Sequence, residues 1–443
     1  MKLLKLVLIF SVLLTTTVTK GSSEATKSKT HNTVQQIAAL VKTNSARALD
    51  TLEHVVNINS GTMNFSGVQE VGAVFSEQLK KLGFDVQWID GASFNRAGHL
   101  LATHNSSAAN SIKVLLIGHL DTVFSVNDSF QKFERLDDLY IAGPGITDMK
   151  GGNVIIIEAL SALHQLDLLG NISIKVVLTG DEERSGKPLS ESKKVLIDAA
   201  KWADVALGFE DGDSSIKTAV IARRGSIAWE LNITGKPAHS SQIFQPNVGY
   251  GAIFESARIL NQFRERLAGV GNLTFNPGLI VGGTEIDHDP TSSTAQTFGK
   301  NNVIAKDVKI TGGIRALSLQ ELNNAKSIMQ DIVSDNLDQT LAHLKFDEGY
   351  PPMAPLEGNK KLLKMYSDIS ESLGYNKVVA VNPRNAGAAD ISFTAGLVSM
   401  SLDGLGLMGR GGHTKDEAAD ISSLVKNTQK AAILIHRLSH LPN

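Results

Sequence analysis

Five short stretches of this 443-residue chain place histidine or carboxylate side chains where an apolar run stops or a glycine turn begins. In LLIGHLDTV, residues 115–123, His119 and Asp121 follow a strand-like run two residues apart, so in extended chain they project to one side. Such a pair can meet one ligand together, or the carboxylate can fix an imidazole that binds a metal. It also fits a histidine satisfied by a neighbouring acid in an ordinary loop. GPGITDMKGG offers Asp148 as ligand, turn residue or helix cap. TGDEERSG offers adjacent Glu182 and Glu183, which also fit solvated acids near a helix start. GFEDGD adds Glu210, and GRGGHTKDE adds His413 among glycines. Cysteine is absent, which removes both a thiol nucleophile and a thiolate ligand. A metal site here is therefore built from histidine and carboxylate, a donor set that suits zinc, manganese or cobalt.

The elements that position these residues read as an α/β pattern. Helices are expected from about Thr33 to Val56, from an N-cap at Ser66 to Gly83, and from Gly151 to Leu168. Between and after them FDVQWI, GHLLATH and SIKVLLIGHL read as strands, and NISIKVVLTGDEE and DVALGFEDG as buried strands ending in acid. Strands alternating with helices imply a mainly parallel sheet covered on both faces, with ligands beyond its C-terminal strand ends. His119, Asp121, Glu182, Glu183 and Glu210 all fall at that edge, so features with separate ordinary explanations become one candidate site. From residue 217 the pattern changes to an α+β unit. It comprises a hairpin in IKTAVIARRGSIAWELNITG, a helix, two strands, a helix over Leu319–Leu341 and the strand LAHLKFDEG. The Pro-rich YPPMAP then marks a return to the α/β pattern, with a helix near Leu356, the strand KVVAVN, a helix near Asp390, the strand LVSMSLDGLG and a closing helix. This gives a catalytic unit in residues 31–216 and 351–443 around an insert at 217–350.

Lys and Arg total 43 against 45 Asp and Glu, without a basic stripe, which argues against a nucleic-acid partner. Lys2 and Lys5 precede an apolar run from Leu6 to Val18 that is short for a bilayer span and fits a secretory leader over residues 1–22. An uncleaved anchor is the alternative, since no clean small-residue cleavage site follows. Cleavage implies a secreted or periplasmic protein without a stable membrane span.

The motifs GHLDTV, DMKGG, DEE, GKPAHSS and GRGGHTKDE, in this order, resemble those of the M20 zinc peptidases, which include glutamate carboxypeptidase, acetylornithine deacetylase, succinyl-diaminopimelate desuccinylase and aminoacylase-1. DGLGLMGRGGH is most similar to the glutamate carboxypeptidase branch. The resemblance implies a mainly parallel catalytic domain with an inserted ferredoxin-like dimerisation or lid domain, two Zn2+ per subunit (Co2+ or Mn2+ as alternatives), and a homodimer. It implies that His119 and Glu210 hold one ion, Glu183 and His413 the other, and Asp148 both, with Asp121 behind His119 and a cis peptide after Asp148. It makes Glu182 the general base. It further implies that His239 donates to the oxyanion in the neighbouring subunit, and that Asn302 and Arg315 bind the free carboxylate of a peptide or N-acyl amino acid. Where relatives carry GG-S/T-D this chain has NAGAAD, residues 385–390, which puts the side-chain preference in question. EIDHDP, residues 285–290, reads as a polar loop in preference to a metal site at Asp287, His288 and Asp289, and ARRG, residues 222–225, as a hairpin flank, with a phosphate or carboxylate grip as the alternative.

Overall fold

The computed structural model describes residues 32–108, 110–290 and 292–441, so the expected leader lies outside the described residues. A six-stranded sheet forms the centre. Its strands are β1 (Asp85–Asp90), β2 (Gly98–His104), β3 (Lys113–His119), β4 (Ser173–Thr179), β5 (Val205–Gly208) and β12 (Met400–Leu402). The order is β1-β2-β4-β3-β5-β12. β4, β3, β5 and β12 are parallel, while β1 and β2 add an antiparallel edge.

Alternation along β3 explains the two covered faces. Val114 and Leu116 enter one core, against the helix Gly151–Gln165, and Leu115 and Ile117 enter another, against the helix Lys194–Trp202. The helix Gly151–Gln165 is buried from Gly151 to Leu163, as a helix that is apolar all round requires. Its one buried acid, Glu158, is paired with Arg47 at 2.6 Å, the condition under which a carboxylate is tolerated there.

The second sheet contains β6 (Ile227–Gly235), β7 (Thr274–Gly283), β10 (Asp307–Arg315) and β11 (Thr340–Phe346), in the order β7-β10-β6-β11 and antiparallel throughout. With helices Gly251–Leu267 and Leu319–Ser334 this is a β-α-β-β-α-β unit, the ferredoxin-like arrangement. Trp229, Leu231 and Ile233 alternate towards the helices, while Glu230, on the other face, pairs with Lys309 at 3.0 Å.

Several local expectations are corrected. Asn64, not Ser66, caps the second helix, its side chain accepting from Gly67 N. The first helical stretch is interrupted at Asn44. The helix after Leu319 ends at Ser334, and the segment at Asp390–Thr394 is a short 3-10 turn. EIDHDP is the first strand of a hairpin, β8 (Glu285–Asp289) with β9 (Thr294–Phe298), not a loop. Nor is residues 216–235 a hairpin: Thr218–Ala219 pairs with Val379–Ala380 beside the central sheet, whereas β6 lies in the middle of the second. The chain crosses between the two sheets within that stretch, and ARRG is the crossing. Arg223 pairs with Met353 and Ser226 with Tyr350, so the outgoing and returning segments run side by side.

Candidate metal centre

Strand register assembles the site. His119 stands opposite Thr179, which leads into Glu182 and Glu183, and Ile117 stands opposite Gly208, which leads into Glu210. Three adjacent parallel strands thus deliver their acids and imidazole to one edge. Asp148 comes from the glycine turn before the helix at Gly151. A side chain at Gly152 would meet the Phe209 carbonyl oxygen at 2.0 Å, so only glycine lets that turn close on the strand carrying Glu210. His413 occupies the left-handed region at φ 63, uncommon for a non-glycine residue and characteristic of constrained sites.

The side chains meet in two halves. His119 Nε2 lies 3.0 Å from Asp148 Oδ1 and 3.6 Å from Glu210 Oε1. His413 Nε2 lies 2.8 Å from Asp148 Oδ2 and 3.2 Å from Glu183 Oε2. Asp148 therefore gives one oxygen to each half, and its peptide bond to Met149 is cis. His119 Nδ1 is 2.9 Å from the Asp121 carbonyl oxygen and 3.5 Å from its carboxylate. Glu183 Oε1 is buried without a hydrogen-bond partner.

Three buried acids fix the ligand-bearing backbone. Asp121 accepts the N–H groups of Glu182 and Glu183 at 3.0 and 3.2 Å. Asp403 accepts Glu210 N at 3.3 Å and is itself held by Arg223 Nε at 2.7 Å. Glu417 accepts from Gly145 N, Thr147 N, Thr147 Oγ1 and Asp148 N. Sequence reasoning missed Asp403 and Glu417, although DGLG and HTKDE stand inside the motif stretches with acids left without a role, and it held a carboxylate grip at ARRG only as the alternative, which is what Arg223 is.

The donor set fits divalent cations. Two imidazoles and three carboxylates carry an excess of negative charge in a largely buried place, which is costly unless cations balance it. Protonation behaviour reflects the same excess. Burial opposes charge on His119, but Glu210, Asp121 and Asp148 outweigh it and raise its pKa well above the imidazole range. Hydrogen bonds to Asp148 and Glu183 push His413 up to about 11. Burial, with Asp148 and Glu182 nearby, raises Glu210 well above the carboxylate range. Among the described residues, His119, Asp148 and Glu183 alone each offer a ligand atom within 4.8 Å of the others.

Comparison with known proteins agrees with this reading. The model of Peptidase family M20/M25/M40 matches residues 115–437. The chain belongs to that family. Carboxypeptidase G2 of Pseudomonas sp. (strain RS-16) is 25% identical over 393 residues, 87% of this chain and 88% of that one. In fold the chain is similar to the aminopeptidase PepT of Bacillus cereus, with a TM-score of 0.70 at 19% identity over 89% of this chain and 99% of that one. It is also similar to a dinuclear metal-binding family peptidase of Bacillus subtilis, with a TM-score of 0.61 at 13% identity over 89% of this chain and 98% of that one. Family membership makes the chain a metallohydrolase of the peptidase and amidohydrolase kind.

The other expected residues lie apart. His239 is exposed, with Nδ1 2.8 Å from Ser241 Oγ. It pairs with Val303, which places Asn302 beside it, and Ser240 N donates to the Asn302 carbonyl. Arg315, at the exposed end of β10, faces Thr274, which accepts from Arg224. Among the described residues, no hydrogen bond or ion pair links His239, Asn302 or Arg315 to the His119–His413 cluster.

Proposed function

We propose that this chain is a zinc-dependent hydrolase that cleaves the amide bond joining a C-terminal amino acid to a peptide or acyl group. The carrying observation is the division of Asp148 between two histidine–carboxylate pairs, with Glu182 next to one of them in sequence. His119, Asp148, Glu210, Glu183 and His413 would hold two zinc ions, which when bound polarise a carbonyl and make water a nucleophile near neutral pH.

The protein's own part is proton transfer and orientation. Burial, with the negative charges of Asp390, Glu183 and Asp148, raises the Glu182 pKa well above the carboxylate range despite His119. In the reaction the Glu182 carboxylate takes a proton from water and returns it to the departing amine. Asp121 keeps Glu182 and Glu183 in fixed relation by holding both amides. Arg315 and Asn302 bind the substrate's terminal carboxylate, for which the guanidinium fork is suited. Similarity to carboxypeptidase G2 supports the carboxypeptidase reading; the same residues would serve an N-acyl-amino-acid deacylase. N-acyl amino acids assayed beside their carboxyl-amidated twins test the reading and rank acyl groups. Release from the free acids alone is expected, and equal release from both twins would remove Arg315 and Asn302 from their role.

The separation of His239 from the cluster supports a homodimer in which it serves the other subunit. Phe244, Tyr250 and Phe254 form an exposed aromatic group close to it in sequence, the kind of surface that a subunit contact covers. Mixing His239→Ala with Glu182→Gln subunits is expected to restore activity in the heterodimers, up to about half of the wild-type level, because one of the two sites then has both groups and the other neither. Heterodimers that form and stay inactive would contradict the shared site.

A further inference from the structure

The turn carrying Glu182 is held through its amides and through a carbonyl. Asp121 takes its amides, and the Tyr350 hydroxyl lies 3.0 Å from the Glu182 carbonyl oxygen. Tyr350 belongs to the segment returning from the second sheet, where its backbone exchanges hydrogen bonds of 2.9 and 3.1 Å with Ser226. Its ring is packed 4.9 Å from that of Phe393, and Lys193 Nζ stands 5.6 Å from its centre.

A hydroxyl has one proton, and its neighbours decide where that proton goes. Asp390 Oδ1 is 3.2 Å away but also pairs with Lys193 Nζ at 3.1 Å, while Asp390 Oδ2 accepts the Thr179 hydroxyl. Lys193 is in turn fixed by Asp181 at 2.8 Å, and Asp181 also accepts Gly186 N at the end of the same turn. Asp390 Oδ1 is thus a second acceptor for the same hydroxyl, farther away and shared with Lys193. Ser185 Oγ, at 3.2 Å, can donate to the tyrosine oxygen. Among the described residues the Glu182 carbonyl has no other donor, and it is the nearer of the two acceptors that the Tyr350 hydroxyl reaches, at 3.0 Å against 3.2 Å for Asp390 Oδ1.

We propose that Tyr350 is a positioning residue for the reaction: its hydroxyl fixes the backbone of Glu182, so that the aim of the carboxyl group depends on how the returning crossing segment is seated. The role rests on Glu182 being the group that moves the proton. Tyr350 acts on the proton-transfer step and not on substrate binding, so its effect falls on kcat.

Tyr350→Phe keeps the ring contacts and removes the hydroxyl. In the zinc-loaded full-length chain, kcat is expected to fall about tenfold, the scale of one lost hydrogen bond. KM should stay within about twofold, with zinc content unchanged. Amide hydrogen exchange is expected to speed up about tenfold in residues 180–186 and to stay the same in residues 113–119. Ser185→Ala, which leaves the bond to Glu182 in place, should keep the wild-type kcat. Unchanged kcat and unchanged exchange in Tyr350→Phe would overturn the proposal. So would a general loss of zinc and protection, or a variant that does not fold, because each makes Tyr350 merely structural. A wild-type chain without hydrolytic activity would count against the proposed function alone, and exchange at the turn would still decide the role of Tyr350.

Discussion

Glu182→Gln is expected to lower kcat by a factor of ~10²–10⁴, the contribution of a positioned general base, with zinc still bound. Glutamine keeps the size and the backbone amide that Asp121 accepts, so the turn and its neighbour Glu183 stay in place. What is lost is the site that receives a proton from water. Metal content by elemental analysis and steady-state kinetics on a hydrolysed N-acyl amino acid check this together. Loss of zinc along with activity would make Glu182 a ligand, and full activity with zinc bound would remove it from the mechanism.

Asp148→Asn has the larger structural effect because one residue serves both halves of the site. Asparagine can present one carbonyl oxygen, to His119 or to His413, but its NH2 group cannot coordinate a cation. Both halves lose negative charge and one loses a ligand. Activity is expected to fall by at least ~10²-fold, since even partners behind the ligands cost 10- to 100-fold when removed. The variant also carries a proton signature. The bond to Asp148 is the largest cause of the raised His413 pKa, so without metal the variant's His413 should deprotonate at lower pH than the wild type's. In the wild type, protons on His119 and His413 compete with the cation. Zinc uptake is therefore expected to release protons and to weaken as pH falls. NMR titration of the imidazoles and calorimetry in buffers of different ionisation heat check the two signs. A His413 pKa that does not move would place its main partner elsewhere.

The parts of the site that follow strands were the most legible in the sequence. Apolar runs ending at His119, Thr179 and Gly208 make a parallel sheet whose ends converge, and the acids just beyond must share that edge. What holds them was harder to read. Asp403 and Glu417 act through backbone N–H groups of residues about 193 and 270 positions away, and no periodicity marks such a contact. The crossing at Arg223 was misread for a related reason. Short alternating stretches on either side of ARRG look like paired strands, but each finds its partner in a different sheet. EIDHDP shows the converse: alternation of Ile286 and His288 with acids was a strand signal outweighed by its polar composition.

The central claim is that hydrolysis depends on a two-ion centre shared through Asp148. The most direct test is to strip the chain with a chelator, return zinc in measured steps, and follow bound metal and release of free amino acid in the same samples. No release without metal is expected, then a rise that levels off at two ions per chain, and no comparable rise in Asp148→Asn. Full hydrolysis by the stripped chain, or a wild-type rate reached by the Asp148→Asn chain, would contradict it.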